Sequence, residues 1–446
     1  MSKRLLVLLT LLVTASMAIA ACAPAAAPTE AMPAATEAMP AATEAMPATE
    51  APAAFTCTDS IGCLDIAPGD PVHIAFMGTI SGATSYLGQD SQGGVEIAID
   101  DRGGELLGHS IQMTAEDSGC SAEGGQTAAT KVASDPTVVG VIGTNCSSAA
   151  TAAMPTISSA GLSMLSPSNT APALTIEGET WQPGYYRVCH TDLFQGAVAA
   201  EFAYNELGAK TLATIHDGSP YADQLQQVMA NRFKELGGTV TFQGAVNVGD
   251  TDMRAVLTTV AADKPDVLYF PIFEPEGDFI IAQSSDIAGM ENTKLMSADG
   301  MLAASMPENA GPNAVGMYLS GPYVKSGGAY DDFLKKWDTK FGGTPPSGFH
   351  AFAYDATNML MDAVENVAVQ DADGTLHVGR QAIRDYLSNL TDYKGLTGTL
   401  NCTDKTFPGV GTSHGDCATG QALAIFQIGQ DQMTGVWPPE VVYTPQ

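Results

Sequence analysis

The run Val138-Val139-Gly140-Val141-Ile142-Gly143-Thr144-Asn145-Cys146-Ser147-Ser148-Ala149-Ala150-Thr151 constrains the fold more than any other stretch. A β-branched apolar segment stops at Gly143, a short polar turn follows, and two serines open an Ala-rich segment. That order spells a buried strand, a loop and a helix N-terminus. The first N–H groups of such a helix have no partner within it and attract an anion, and a serine hydroxyl adds one more donor. A serine there serves equally well as a plain helix cap.

The same unit recurs along the chain. Strands are expected at Val72–Met77, Ser110–Ala115, Thr137–Ile142 and Leu162–Leu165, separated by helical segments. A second set follows at Thr211–His216, Thr239–Val246, Val267–Pro271 and Lys294–Met296, again with helices between. Strands alternating with helices imply α/β architecture with parallel sheets and right-handed crossovers. Residues 329–390 read as helices, and the last fifty or so return to strand and turn, with Ala422–Phe426 the clearest strand. Such a chain builds two Rossmann-like lobes joined by a three-segment hinge. The crossings are expected near 189–193, 320–323 and 393–398. Lobe 1 then comprises 55–190 plus 323–393, and lobe 2 comprises 191–322 plus 394–446.

The amino terminus is of another kind. Met1-Ser2-Lys3-Arg4 precedes an apolar run from Leu5, too short and wrongly flanked for a permanent membrane span. It ends Ile19-Ala20-Ala21-Cys22, which resembles a bacterial lipobox and implies a signal peptide over 1–21, cleavage before Cys22 and lipidation of its sulfur. An ordinary signal peptide cut at Ala-x-Ala is the other reading. Over 22–54, Thr-Glu-Ala-Met-Pro-Ala recurs with Thr at 29, 36 and 43, and shortened at 49. A Pro in each full repeat breaks any helix, so a disordered, semi-extended tether is expected. The remaining ~390 residues exceed what one core holds, which again favours two lobes.

Formal net charge is -30, and only four Glu of that excess lie in the tether. An acidic surface excludes nucleic-acid binding, which needs a basic footprint. Eight cysteines are present. With Cys22 assigned to lipid, the neighbours Cys57 and Cys63, Cys120 and Cys146, and Cys402 and Cys417 form three plausible disulfides and leave Cys189 free. Six cysteines permit fifteen connectivities, so local pairing is a preference only. No Cys-x-x-Cys or clustered His supports zinc, and neither metal nor cofactor is expected. The chain also lacks Gly-x-Ser-x-Gly, His-Glu-x-x-His, a phosphate loop and Gly-x-Gly-x-x-Gly after a strand, so an enzyme is not expected.

Ligands of open parallel sheets bind beyond the carboxyl ends of the strands. Six loops qualify: Ser81–Gly88, Asn145–Ser148, Ser166–Thr170, Asp217–Tyr221, and those holding Phe273 and Asp299. Their polar groups suit a small zwitterion. Ser147 and its helix end suit a carboxylate. Thr170 and a carbonyl near Ser168 suit an ammonium group, with Asp299 as countercharge and Tyr221 and Phe273 as aromatic walls. Each residue has a structural reading too. Thr170 closes Ser/Thr turns, Asp299 sits in an Asp-Gly turn, and Tyr221 and Phe273 suit a core.

Five segments in order carry a resemblance: Val72-His73-Ile74-Ala75-Phe76-Met77-Gly78-Thr79-Ile80-Ser81-Gly82, Asn145-Cys146-Ser147-Ser148, Ser166-Pro167-Ser168-Asn169-Thr170-Ala171-Pro172-Ala173-Leu174-Thr175, His216-Asp217-Gly218-Ser219-Pro220-Tyr221 and Lys264-Pro265-Asp266-Val267. From Val72 to Phe426 the chain resembles the periplasmic leucine/isoleucine/valine-binding proteins, the type I substrate-binding lipoproteins of ABC transporters. The resemblance implies that Ser147 meets a ligand carboxylate. It also implies that Ser168 (by its carbonyl), Thr170 and Asp299 meet an ammonium, with Tyr221 opposite. It matches the Cys120–Cys146 pair as well. Phe273 departs from the family by lacking a hydroxyl, and the first loop leaves either Tyr86 or Leu87 to face the side chain. The implied function is capture of a neutral, branched-chain amino acid by cleft closure and delivery to a membrane permease. The protein would work as a monomer held by lipid on the outer face of the bacterial cytoplasmic membrane. A tethered sensor, or a binder of an amide, urea or aromatic acid, is the alternative.

Overall fold

The computed structural model describes residues 55–420 and 422–445. The expected signal peptide, Cys22 and the tether lie outside the described residues. Among the described residues no helix is long and apolar enough to cross a membrane.

Two sheets organise the chain. The first has six strands in the order Glu105–Leu106, His109–Asp117, Val72–Gly78, Val138–Gly143, Met164–Ser166, Tyr185–Arg187, parallel except at the Glu105–Leu106 hairpin. All seven residues of Val72–Gly78 and all six of Val138–Gly143 are buried, as central parallel strands covered on both faces must be. Alternate side chains serve the two faces. Val72, Ile74 and Phe76 pack toward helices Ser85–Asp101 and His350–Val367, while Ala75 and Met77 pack toward Ala122–Ala133 and Ser147–Ser159.

The second sheet has seven strands in the order Glu440–Tyr443, Leu423–Gln427, Tyr318–Pro322, Lys294–Ser297, Val267–Tyr269, Thr211–His216, Thr239–Ala245. The last five run parallel, and the two C-terminal strands add antiparallel. Within each lobe the five parallel strands lie in chain order 2-1-3-4-5. The order reverses between strands one and three, and ligands of doubly wound sheets bind at that switch point.

The chain passes between lobes three times. It leaves the first sheet after Arg187 and packs helix Asp192–Glu201 on Pro220–Glu235. It returns after Pro322, where Gly328–Phe341 packs on Ser85–Asp101. It leaves again between Cys417 and Leu423. The last passage lies beyond the expected 393–398, because residues 396–417 hydrogen-bond to the first lobe. Asp355 accepts from Leu396 N and Thr397 N at 2.8 and 2.9 Å, and Cys417 N donates to Arg187 O at 2.8 Å. This segment offers two short hairpins, Tyr393–Leu400 and Lys405–Ser413, and no apolar stripe of its own.

The pairs Cys57–Cys63, Cys120–Cys146 and Cys402–Cys417 are disulfides, and Cys189 is a buried free thiol. The first closes a loop that holds Asp59 over the N-terminus of Arg380–Ser388, where its carboxylate accepts from Gln381 N and Ala382 N. Replacing both Cys57 and Cys63 by Ser is expected to cost about 2 kcal/mol through the freed unfolded chain, read as a lower urea midpoint.

Candidate functional site

Strand-end segments of the two lobes meet through the bonds from Tyr86 OH to Gly300 O and from Ala173 N to Gln224 Oε1. Cys146, not Ser147, caps helix Ser147–Ser159. Ser147 is its first residue, and its Oγ accepts from Ala171 N at 3.3 Å. That bond joins the anion-suited helix end to the Pro167–Pro172 loop. Asn145 braces the same corner. Its Oδ1 accepts from Thr79 N at 2.9 Å, and its Nδ2 donates to Ser91 Oγ at 2.8 Å and Ser168 Oγ at 3.2 Å. The Cys120–Cys146 disulfide and the bond from Ser148 Oγ to Cys120 O hold it from the other side.

The next loop is fixed by a residue that sequence reasoning passed over. Arg187 is fully buried, and its Nη1 donates to Thr170 O and Ala171 O at 3.0 and 2.9 Å. Its Nη2 donates to Thr175 Oγ1 at 2.9 Å and to Asp416 at 2.8 Å. One planar guanidinium thus holds consecutive carbonyls in register. Thr170 is thereby presented with its hydroxyl buried.

Opposite lies the second lobe's contribution. Asp299 opens a short 3-10 turn, and its Oδ1 accepts from Tyr221 OH at 3.0 Å and Gln195 Nε2 at 2.5 Å. Tyr221 OH also accepts from Gly300 N at 3.1 Å, and its ring centroid lies 5.0 Å from that of Phe273. Gly300 has no room for a side chain, since a Cβ would stand 2.6 Å from Ile272 O and 3.0 Å from Phe273 Cδ1. Its carbonyl accepts from Tyr86 OH of the first lobe at 2.5 Å. Tyr86 is therefore the first-loop residue that reaches across the cleft. Leu87 is buried among apolar side chains and offers only its carbonyl, to Asn145 Nδ2 at 3.3 Å. Ala173 N also reaches across, donating to Gln224 Oε1 at 3.1 Å. Ser147, Ser168, Thr170, Tyr86, Tyr221, Phe273 and Asp299 thus gather at one junction.

The junction also contains Asp192, in the first turn of its helix after the Thr191 cap. It is completely buried, its N–H donates to Thr170 O at 2.9 Å, and among the described residues neither carboxylate oxygen has a hydrogen-bond partner. Thr170 Oγ1 is likewise without one. That hydroxyl lies close enough to ease the Asp192 charge, but not in hydrogen-bonding geometry. Burial, and then the Asp299 charge, push the Asp192 carboxyl well above the usual carboxylate range. Burial also raises Asp299 to about 6, against the lowering effect of its bonds from Gln195 and Tyr221. Tyr221 is pushed well above its ordinary value, first by burial and then by Asp299, so it stays protonated and donates. The unpartnered Asp192 carboxyl and Thr170 hydroxyl beside the buried Asp299 carboxylate form an acceptor set with unused capacity, which a cation with several N–H donors would satisfy. Among the described residues no group of acidic, His or Cys side chains could hold a metal ion.

Comparison with known proteins agrees with this architecture. The family model described as periplasmic binding protein matches residues 71–429. An amino acid binding protein of Pseudomonas aeruginosa is 27% identical over 308 residues, covering 67% of this chain and 80% of that protein. The Leu/Ile/Val-binding protein of Escherichia coli K12 is 26% identical over 272 residues, covering 58% of this chain and 71% of its own length. The crystal structure of leucine-binding protein LivK from Thermotoga maritima aligns with a TM-score of 0.72 at 25% identity, over 84% of this chain and 99% of that one. These relatives are solute-binding proteins, and the α/β architecture with mostly parallel sheets is that of their type I fold. The chain belongs to the periplasmic binding protein family.

Proposed function

We propose that the protein captures a neutral α-amino acid by cleft closure and delivers it to the permease of an ABC importer. The observation that carries this reading is the buried, unpartnered Asp192 beside Asp299 and Thr170, with the helix end at Ser147 tied to Ala171 next to Thr170. An α-ammonium group supplies three donors to that acceptor set, and an α-carboxylate suits the Ser147 helix end. An amide, urea or aromatic acid would bring no cation to the buried Asp299 carboxylate and the Asp192 carboxyl beside it, so these ligands fit less well. Tyr86, Tyr221 and Phe273 form the apolar and aromatic side of the site, which suits branched-chain side chains and fits the names of the Leu/Ile/Val-binding relatives. The Leu5–Ala21 run and Cys22 support export and a lipid tether, which would keep the closed protein near its permease.

The direct test is mass spectrometry of ligand released from the purified protein, followed by a thermal-shift panel of amino acids, amides and aromatic acids. Stabilisation by an amide or an aromatic acid, with none by any amino acid, would remove the proposal.

The raised carboxyl groups give a pH prediction. Protons compete with the ammonium for Asp299, so amino-acid affinity falls as pH drops through about 6, by about tenfold per unit well below it. Stability of the free protein runs the other way. Between the usual 3.8 and about 6, Asp299 is protonated when folded and ionised when unfolded, so stability falls as pH rises through that window. The ligand-induced rise in Tm should therefore be larger at pH 7.5 than at pH 5. An equal rise at both would contradict the ammonium assignment.

A further inference from the structure

Behind Asp299 lies a side chain that touches neither expected end of the ligand. Gln195 is fully buried on helix Asp192–Glu201. Its Nε2 donates to Asp299 Oδ1 at 2.5 Å and to Ser320 O and Oγ at 3.1 Å each. Its Oε1 accepts from His190 Nε2 at 2.7 Å. The partners fix the amide's orientation, because a flipped Gln195 would turn its oxygen on the Asp299 carboxylate. His190 lies on the first passage between lobes, and Ser320 lies on the strand that leads into the second. Burial lowers His190 to about 4, so it is neutral and its Nε2 proton is the one donated.

We infer that Gln195 is a positioning residue for ligand capture, which sets the Asp299 carboxylate and ties it to two of the three chain passages of the hinge. The inference rests on the reading that Asp299 receives the ligand's ammonium group. Gln195 and Tyr221 both use Oδ1, which leaves Oδ2 as the oxygen for the ligand. Movement at either passage shifts His190 or Ser320, and through the amide it shifts the carboxylate. Closure and charge presentation are thereby one event rather than two. The other titratable groups facing Asp299 are Asp192 on the same helix, Tyr221, Tyr269, Tyr86 and the Cys189 thiol. Among these only Asp192 is a carboxylate, and it is common to wild type and variant.

The test is titration calorimetry from pH 5 to 8 on the full folded chain, using the tightest-binding member of the twenty standard amino acids. Gln195→Met removes the donor to Asp299. It should move the acid midpoint of affinity up by about one pH unit, which weakens binding about tenfold at pH 5 and only about twofold at pH 7. Gln195→Glu, nearly isosteric, supplies a second variant if the Met variant folds poorly. It should bind far more weakly at pH 8 and approach wild type at pH 5, where its protonated carboxyl donates as the amide did. An unmoved midpoint, or a loss of the same factor at every pH, would mean that Gln195 is structural only and would overturn the inference alone. A wild-type profile flat across the range would remove the ammonium reading, and this inference with it.

Discussion

Asp299→Ala will weaken amino-acid binding by a factor of about 100 or more, and the protein will still fold. The carboxylate is buried and already holds two donors, Tyr221 OH and Gln195 Nε2, so it is set before the ligand arrives. Removing one member of a buried, hydrogen-bonded charge pair costs about 2–5 kcal/mol, because the remaining charge is left desolvated. On the proposed reading the remaining charge is the ligand's ammonium. The fold tolerates the change because Asp299 is itself strained by burial, which holds it near pH 6 rather than at 3.8. Above that pH the free protein loses an unfavourable charge when Asp299 is removed, and this offsets the two lost hydrogen bonds. Asp192→Ala should behave in the same direction. Ser147→Ala should cost less, within about tenfold, because the backbone N–H groups of the helix end remain. Calorimetry on the three variants checks the order. Unchanged affinity in Asp299→Ala would show that the ammonium lies elsewhere.

The sequence made the sheets legible for a physical reason. Central parallel strands are buried on both faces, so Val72–Gly78, broken only by His73, and Val138–Gly143 appear as nearly continuous apolar runs that end at glycine. Strands near the hinge carry no such signal. Tyr185–Arg187 is three residues long and contains a guanidinium, and Tyr318–Pro322 ends in Gly-Pro. Helix Asp192–Glu201 was missed for the same reason, and with it went Asp192 and Gln195. Thr191-Asp192 reads as ordinary capping grammar, and nothing local reveals that the carboxylate points into a buried junction. Gln195 gains its meaning from Asp299, 104 positions away. The six strand-end loops were visible because the switch-point rule depends on strand order alone. The braces behind them were not, because each joins residues far apart in the chain.

Arg187 shows how far that separation reaches, and its loss is expected to be the most damaging single change to stability. Its main partner, Asp416, lies 229 positions on, in the hairpin segment closed by Cys402–Cys417. Both side chains are essentially inaccessible to solvent. Arg187→Met keeps most of the apolar stem but leaves Asp416 buried with only Lys405 Nζ at 3.9 Å, and strips the carbonyls of Thr170 and Ala171 to one backbone donor each, Asp192 N and Leu174 N. Breaking such a pair costs about 3–5 kcal/mol, most of it the uncompensated charge rather than the lost contact. Chemical denaturation should show that loss. It should be smaller in the double variant Arg187→Met with Asp416→Leu, where no charge is left behind, and a double-mutant cycle would report the difference as coupling. Ligand affinity separates the two roles of Arg187. The double variant recovers stability but not the three-point hold on the Thr170 loop, so its amino-acid affinity should stay low. If affinity returned together with stability, the guanidinium would be a fold anchor alone, and the placement of Thr170 would have to come from the Asp192 N–H bond to its carbonyl and the Ser147–Ala171 bond.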